Sequence, residues 1–420
     1  FDLTSSGSIN LSPPRDIIVG AILTTTATGA HITLAADSDA NSVGGVQILA
    51  AGQLVSADAV TVAGSDLFAV GGTESVQIDS DGAGIQISAG GNVIIQDGAN
   101  APVGAQTIVN GIVQTSGAGA TTTISAEDDV LIGADGDVTG VSGTVTVTAS
   151  TGTIDMSDGA ILNAGSGTID MTADGSITLA ALQTTTEVQL TSTNGAIIDG
   201  GDTDVDITAA TAALRAATGI GTDADALDTA SSATTLTLAT VTEAGDVAVT
   251  NSGDLVVGTV DGLSGSTITD AALNDSGNDN ITLIASSPLT VNDAIVNNDG
   301  GNITLTATDD GGDDDDLTIS DDVTATGGNG AIDLNAGTDL VINNDAIIST
   351  VGSGAITGDA VRSIELDNTV GTTTLQTVNG TITLVANNTA VAGDFHGIDM
   401  QGSRIESVDG AISLTGRGGN

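Results

Sequence analysis

The sequence has no cysteine, no tryptophan, no tyrosine and no lysine, and each absence narrows what the protein can be. Without cysteine, neither a disulfide framework nor a thiolate metal site can form. The basic residues are five arginines against 54 acids, for a formal net charge of −49. Nucleic acid is therefore not an expected partner, because phosphate neutralisation takes clustered basic side chains. No apolar run approaches the roughly 18 residues of a membrane helix, so membrane insertion is not expected.

Hydrophobic residues nevertheless make up 40% of the 420 residues, which argues against a chain disordered by its charge. Nearly all of them are Ala, Val, Ile or Leu, and the aromatic residues are limited to Phe1, Phe68 and Phe395. A compact core normally uses large rings to fill irregular space. Their scarcity predicts a narrow core of uniform section, filled by small branched side chains that repeat along an axis.

A short phrase recurs along the chain: glycine, a small or polar residue, Ile, a polar residue, and then Leu or Met. It begins at these glycines: Gly7, Gly152, Gly167, Gly175, Gly301, Gly330, Gly380 and Gly410. The alternation puts Ile and Leu on one face of a short strand and Thr, Asp or Asn on the other. Glycine opens each strand from a turn.

The spacing of the phrases predicts the fold. Equivalent glycines follow one another at intervals of 24, 26 and 30 residues: Gly330, Gly354, Gly380 and Gly410. The first interval has room for three strands: Ile332–Leu334, Leu340–Ile342 and Ala346–Ile348. Three short strands per period without a helix predict an all-β fold, a single-stranded parallel β-solenoid (β-helix) that runs continuously through residues 1–420.

Two other folds explain the pattern less well. A stack of β-sandwiches would show hairpin signals and a period near 100 residues. A doubly wound parallel sheet would need crossover helices, and its strands would be continuous apolar runs. The alternating strands of this sequence instead indicate that one face meets water.

Two segments interrupt the pattern. Pro13-Pro14-Arg15 is interpreted as a protruding loop at about 12–16, because proline cannot donate to a strand ladder. The Ala-rich stretch at about 207–235 is interpreted as a lateral insertion that leaves the solenoid intact. One or two helical turns or a looser coil are the alternatives there.

The recurring phrase resembles the repeat region of filamentous-haemagglutinin-type bacterial adhesins and of giant "beta strand repeat" surface proteins. The run Leu214-Arg-Ala-Ala-Thr-Gly-Ile-Gly-Thr, followed by Ala226-Leu-Asp-Thr, is similar to a recurring element of the second group. The resemblance covers most of the chain as a pattern of low-complexity repeats. It implies export to the surface of a bacterium, hence an extracellular or cell-surface location.

The acids form two clusters that could hold a metal. One is Asp202, Asp204 and Asp206, whose alternation predicts that all three project from one face of a strand. The other is a turn that carries Asp313, Asp314, Asp315 and Asp316. Carboxylates gathered on turns suit Ca²⁺, which is the one cofactor that the sequence suggests. The alternative is a solvated acidic surface that keeps the protein soluble.

Catalysis and ice binding are less favoured. Solenoid lyases rely on Lys or Arg, and sugar-binding grooves normally use Trp or Tyr, whereas this chain has no Lys, Trp or Tyr and only five Arg. Neither His31 nor His396 lies in a nucleophile motif, so we expect no enzyme. Ice binding requires flat, regular threonine ladders. Threonine pairs such as those in Thr144–Thr148 and Thr304–Thr306 fall at uneven intervals, and threonine is also a good strand residue.

The function predicted from the sequence is a structural extracellular fibre segment of a bacterial surface solenoid. Its partners would be copies of itself or further repeats of a longer chain, joined head to tail, because neither Phe1-Asp-Leu-Thr nor Gly410-Ala-Ile-Ser-Leu-Thr looks like a capping sequence. The alternative is an adhesin, in which the segment near Leu214 or a side loop engages a cell-surface ligand.

Overall fold

The structure is a computed structural model that describes residues 2–36, 44–64, 74–80, 84–97, 104–201, 203–269, 278–309, 311, 314–367 and 372–419. The chain divides into two compact units, Phe1–Ala209 and Ala210–Asn420. The described residues contain strands and no helix. Each unit is a β-solenoid, in which short strands stack in parallel on their equivalents one coil away. The predicted fold class is therefore confirmed.

The first unit has three walls of parallel strands. Its first wall contains β1 (Leu3–Ser5), β4 (Ile22–Thr25), β7 (Gln53–Ser56), β10 (Ile85–Ala89), β13 (Ile112–Thr115), β16 (Val138–Thr139), β19 (Ile161–Gly165), β22 (Ala181–Thr184) and β25 (Ile207–Ala209). Its second wall contains β2 (Ile9–Leu11), β5 (Ile32–Ala35), β8 (Val60–Gly64), β11 (Val93–Asp97), β14 (Thr122–Ala126), β17 (Val145–Ala149), β20 (Ile169–Ala173) and β23 (Glu187–Ser192). Its third wall contains β3 (Ile17–Val19), β6 (Val46–Ile48), β9 (Glu74–Ile78), β12 (Gln106–Val109), β15 (Val130–Ile132), β18 (Ile154–Met156), β21 (Ile177–Leu179) and β24 (Ile197–Asp199). Each complete coil thus contributes one strand to each wall, and β25 adds a further strand to the first wall.

The second unit also has three parallel walls. Its first wall contains β27 (Leu227–Ser231), β29 (Val247–Asn251), β34 (Ile281–Ala285), β37 (Ile303–Ala307), β40 (Ile332–Ala336), β43 (Ile356–Ala360), β46 (Ile382–Ala386) and β49 (Ile412–Gly416). Its second wall contains β30 (Asp254–Val257), β35 (Leu289–Val291), β38 (Leu317–Ile319), β41 (Asp339–Ile342), β44 (Ser363–Asp367) and β47 (Ile398–Gln401). Its third wall contains β33 (Ser266–Ile268), β36 (Ile295–Asn297), β39 (Val323–Ala325), β42 (Ile347–Thr350), β45 (Thr374–Thr377) and β48 (Arg404–Ser407).

The second and third walls of this unit arise from one long strand. β26 (Thr211–Ala216) pairs with β28 (Thr235–Thr242). On its other side, β28 pairs with two different strands. Thr235–Leu238 pairs with β30, and Thr240–Thr242 pairs with β33. Between β30 and β33 lies an antiparallel hairpin of β31 (Thr259–Val260) and β32 (Leu263–Ser264). Where one strand serves two walls, a new corner begins.

The hairpin covers alanines that point away from the main core. Val260 forms a small buried cluster with Ala213 and Ala239, and Leu263 packs against it. Arg215 donates from Nη2 to the carbonyl oxygen of Asp261 at 2.8 Å and to its Oδ2 at 3.0 Å. The Ala-rich stretch at 207–235 was expected to be an insertion, with helical turns as an alternative. It contributes the strands β25, β26 and β27, and none of its described residues is helical.

The core of each unit consists of stacked aliphatic columns. Inward positions such as Ile124, Val147 and Met171 lie directly above one another in the second wall of the first unit, and all three are fully buried. The alternating neighbours of these residues face solvent. Parallel hydrogen bonds between coils satisfy the backbone, so a coil that could not bury its apolar face alone does so by stacking.

The expected glycine column lies at one corner of the second unit. A Cβ atom on Gly354 would lie 2.0 Å from the carbonyl oxygen of Gly330, and one on Gly380 would lie 1.7 Å from that of Gly354. Glycine is required there because consecutive coils approach too closely for any side chain. The strands predicted at Ile332–Leu334, Leu340–Ile342 and Ala346–Ile348 are β40, β41 and β42, with ends one or two residues away. The segment 12–16 joins β2 to β3, and Pro14 and Arg15 are exposed.

Candidate functional site

A cleft lined by several charged side chains lies in the second unit, where the first wall turns into the second. Two connections at this corner have only two residues each, 337–338 and 361–362, whereas 387–397 has eleven. The long connection forms one side of a cleft of about 590 Å³, which we call the corner cleft. Its lining comprises Asp339, Arg362, Ser363, Glu365 and residues 391–396.

A salt bridge forms the floor of the corner cleft. Arg362 donates from Nε to Oδ1 of Asp339 at 2.8 Å, and its Nη2 contacts Oδ2 of the same carboxylate. Ser363, one coil above Asp339, donates to Oδ1 from its backbone nitrogen at 3.0 Å and from its hydroxyl at 2.7 Å. Burial acts to raise the pKa of Asp339, but the hydrogen bonds from Arg362 and Ser363 outweigh it and lower that pKa below its usual value.

The same arrangement begins one coil earlier. Oδ1 of Asp316 accepts a hydrogen bond from the backbone nitrogen of Asp339 at 3.0 Å. Asp316 therefore accepts a backbone hydrogen bond from Asp339, just as Asp339 accepts one from Ser363. Burial, with the nearby charges of Asp339 and Asp314, raises the pKa of Asp316 and outweighs the hydrogen bond from the backbone of Asp339 and the charge of Arg362. The corner thus holds a short carboxylate ladder that ends on one arginine.

Acids also follow the outer face of the second wall. Glu365 and Asp399 are paired in adjacent strands β44 and β47. Burial raises the pKa of Glu365, and so do the negative charges of Asp339, Asp399 and Asp367. Nδ1 of His396 lies 3.3 Å from Oδ2 of Asp399, and the imidazole is 82% exposed.

This chemistry suits binding better than catalysis. The hydroxyl of Ser363 donates to Asp339, and a carboxylate with a lowered pKa is a weak base that does not activate it. The cleft offers one guanidinium, one exposed imidazole, several carboxylates and the half-buried ring of Phe395. Such a set can hold a polar ligand through charge-assisted hydrogen bonds.

The structure separates the acids predicted to bind Ca²⁺ into different environments. Asp314 is exposed, Asp315 is buried and Asp316 is half-buried, while Asp313 lies outside the described residues. Thr338 donates its backbone N–H to the carbonyl oxygen of Asp315 at 2.9 Å. Asp316 of this turn belongs to the carboxylate ladder below the corner cleft.

The predicted cluster of Asp202, Asp204 and Asp206 does not have the arrangement that its alternation predicted. Asp204 is exposed, Asp206 is buried, and both precede β25 instead of lying within a strand. They therefore do not project from one face, as strict alternation in a strand would require. Asp202 lies outside the described residues. Across the residues that the structure describes, no group of three or more acidic or histidine side chains is arranged to hold a metal ion, and the Ca²⁺ sites stay a prediction.

Sequence reasoning assigned no binding role to the residues that line the corner cleft. Arg362 is one of only five basic residues, and Phe395-His396 joins two rare residue types, so rarity was a usable signal. Their partners were not recognisable, because Asp339 lies 23 residues from Arg362 in sequence and meets it only through the stacking of coils.

Comparisons with known protein families, with curated proteins and with solved structures find no match to this chain. The resemblance to filamentous-haemagglutinin-type proteins accordingly stays a prediction. In the described part of the chain, no helix has the length and apolar character needed to cross a membrane.

Proposed function

We propose that this chain is a structural segment of an extracellular fibre on a bacterial surface. One observation carries the proposal: the core columns stay in register although the connections between strands vary in length. Ile332, Ile356, Ile382 and Ile412 pair consecutively in the first wall of the second unit, while the connections beside them range from two to eleven residues. Such conserved stacking with variable corners suits a part whose task is length and stiffness.

The energetics support a segment that continues by stacking. Each coil contributes stability mainly through its interface with the next coil, so the free energy of unfolding grows with the number of coils. Ile382 and Leu384 in β46 are fully buried, whereas their equivalents in β49, Ile412 and Leu414, are 45% and 44% exposed. We propose that further repeats, or the opposite end of another copy, cover these side chains.

The composition is consistent with a surface location. The 54 acids keep a long assembly soluble through mutual repulsion of its sides. Five arginines and no lysine leave few sites for trypsin-like proteases, and three phenylalanines leave few for chymotrypsin-like ones. A protein outside the cell benefits from both properties.

Sedimentation across a concentration series, with electron microscopy of the same samples, tests assembly between copies. We expect particles that lengthen with concentration. Ile412→Asp together with Leu414→Asp should prevent this by placing charge on the stacking face, whereas Ser413→Asp on the outer face of β49 should not. A protein that remains monomeric at every concentration would contradict head-to-tail assembly.

A second candidate function is adhesion, favoured by the corner cleft. Its long connection 387–397 is the side-loop feature expected of an adhesin that recognises a cell-surface ligand. The discriminating observation is the appearance and behaviour of the isolated material. Long uniform fibres favour the structural role, while single tethered particles that bind cells, and lose binding with Arg362→Met, favour adhesion.

A further inference from the structure

The second wall of the first unit presents an ordered array of hydroxyl groups. In β14, β17 and β20, and at the residue before each strand, the outward positions are nearly all threonine. We call these positions the threonine face: Thr121, Thr123 and Ser125; Thr144, Thr146 and Thr148; Thr168, Asp170 and Thr172. The third column continues into β23 with Thr191. Eight of the nine positions carry a hydroxyl group.

The rows are in register although their sequence spacing is uneven. Thr123 pairs with Thr146, which pairs with Asp170, and Ser125, Thr148 and Thr172 pair likewise. The successive rows are 23 and 24 residues apart, and the extra residue is taken up at a corner. The sequence argument that uneven intervals exclude a regular threonine ladder is therefore wrong for this wall, because coil length and wall register are independent.

The array repeats in two directions. Rows follow the spacing of adjacent strands, about 4.8 Å, and columns follow every second residue along a strand, about 6.6 Å. The inward neighbours Ile124, Val147 and Met171 are fully buried, which anchors the rows from below. The resulting surface is a small lattice with fixed spacings.

The hydroxyl groups of the threonine face are available to a partner. Within the part of the chain that the structure describes, none of the eight hydroxyl groups has a hydrogen-bond partner in the protein. Each threonine also carries a methyl group beside its hydroxyl, so the face combines groups that bind water with groups that order it. All but Thr172 are half-buried, which limits their freedom.

Charge and shape restrict the partner. Asp170 is the one charged residue among the nine positions, in a protein whose net charge is −49. A face with a single carboxylate among nine positions does not select a cation or a basic peptide. It contains no aromatic ring of the type on which sugars stack and no large apolar side chain of the type that anchors a protein interface.

The partner that these features describe is a solid whose surface is itself a two-dimensional array of hydrogen-bonding oxygens. We propose that the threonine face binds ice. Its hydroxyl groups would join the hydrogen bonds of the outermost water layer, and its methyl groups would sit between the rows of water oxygens. The proposal is independent of the fibre function and needs only the wall β14–β17–β20.

Thermal hysteresis and the shape of a growing ice crystal, measured with the whole chain, test the proposal. We expect the protein to shape ice and to depress its growth temperature. Thr146→Tyr, which puts a bulky ring in the centre of the face, should abolish both effects. The matched control is Thr304→Tyr, an outward threonine on β37 that is followed by Asp333 one coil on. Circular dichroism melts of both variants check that the fold is kept.

Asp170→Thr provides a test that does not depend on loss of activity. It completes the array between Thr146 and Gln189, and we expect it to increase thermal hysteresis. Ice growth unaffected by the wild-type protein would overturn the proposal. Equal losses in Thr146→Tyr and Thr304→Tyr, or no gain in Asp170→Thr, would also overturn it.

Discussion

The hydroxyl group of Thr350 donates a hydrogen bond to the carbonyl oxygen of Gly354 at 2.6 Å across a corner of the second unit. Thr350 is 3% exposed and ends β42, and Gly354 lies just before β43. One coil later, Thr377 makes the same bond to Gly380 at 2.7 Å. A buried hydroxyl thus satisfies a carbonyl group at the corner that carries the glycine column.

Thr350→Val removes this bond and keeps the volume of the side chain. We expect the free energy of unfolding to fall by about 1–2 kcal/mol, because the carbonyl of Gly354 loses its partner in a buried position. Thr324→Val is the control, since Thr324 points outward from β39 in the same wall. Chemical denaturation would measure both, and equal losses of stability would show that the corner bond has no special role.

Gly380→Ala tests the glycine column. The added methyl group would lie 1.7 Å from the carbonyl oxygen of Gly354, so adjacent coils must move apart. A destabilisation of about 1–3 kcal/mol is expected from overpacking of this kind. At Gly253 a Cβ atom would meet nothing within 4 Å, so Gly253→Ala should leave the melting temperature nearly unchanged. A tolerated alanine at Gly380 would refute the close-approach argument.

Arg362→Met tests the salt bridge of the corner cleft. The variant leaves Asp339, whose side chain is 10% exposed, without its cation, and we expect a loss of about 1–2 kcal/mol at pH 7. Arg404→Met is the control, because Arg404 and Glu406 are 60% and 43% exposed and such pairs contribute little.

The effect of Arg362→Met should depend on pH in a defined direction. The pKa of Asp339 is lower in the folded protein than in the unfolded chain. Its contribution is therefore present above the unfolded pKa of 3.8 and is lost as the pH falls through the lower folded value. The difference in melting temperature between wild type and variant should therefore shrink as the pH falls from about 5 to about 3. A difference that grows on acidification would contradict the assignment.

Calcium dependence remains to be measured at Asp314, Asp315 and Asp316. If the turn holds Ca²⁺, chelation should lower the melting temperature, since a ligand at 100 times its Kd stabilises by about 2.7 kcal/mol. NaCl at matched ionic strength is the necessary control, because screening of 54 acids would also stabilise the protein. Equal effects of CaCl₂ and NaCl would leave specific sites unsupported.

Much of the fold could be predicted from the sequence because one pattern of residues repeats. The alternation from Ile332 to Leu334, preceded by Gly330, predicts a short half-buried strand that begins at a turn, and the structure contains it as part of β40. The pairing of β28 with both β30 and β33 could not be predicted. Ala213 and Ala239 point outward under the hairpin at Thr259–Ser264, and alanine is neither apolar enough nor polar enough to reveal which face it occupies.

The candidate sites were harder to predict because they depend on contacts between coils. The pairing of Arg362 with Asp339, and of Thr146 with Thr123, requires the exact length of the intervening coil, 23 residues in each case. Coil lengths vary at the corners, where the number of connecting residues follows no fixed period. Local patterns identify strands, but they do not identify which residue of the next coil lies above a given side chain.

The contrast between the two-residue connection 361–362 and the eleven-residue connection 387–397 has an evolutionary consequence. Insertions and deletions at this corner leave the pairing of Ile356 with Ile382 and of Ile382 with Ile412 intact. New segments can therefore be gained at this corner without a compensating change elsewhere. The same property makes residues 388–395 a natural place to graft a foreign epitope, because exposed connections of this kind tolerate replacement.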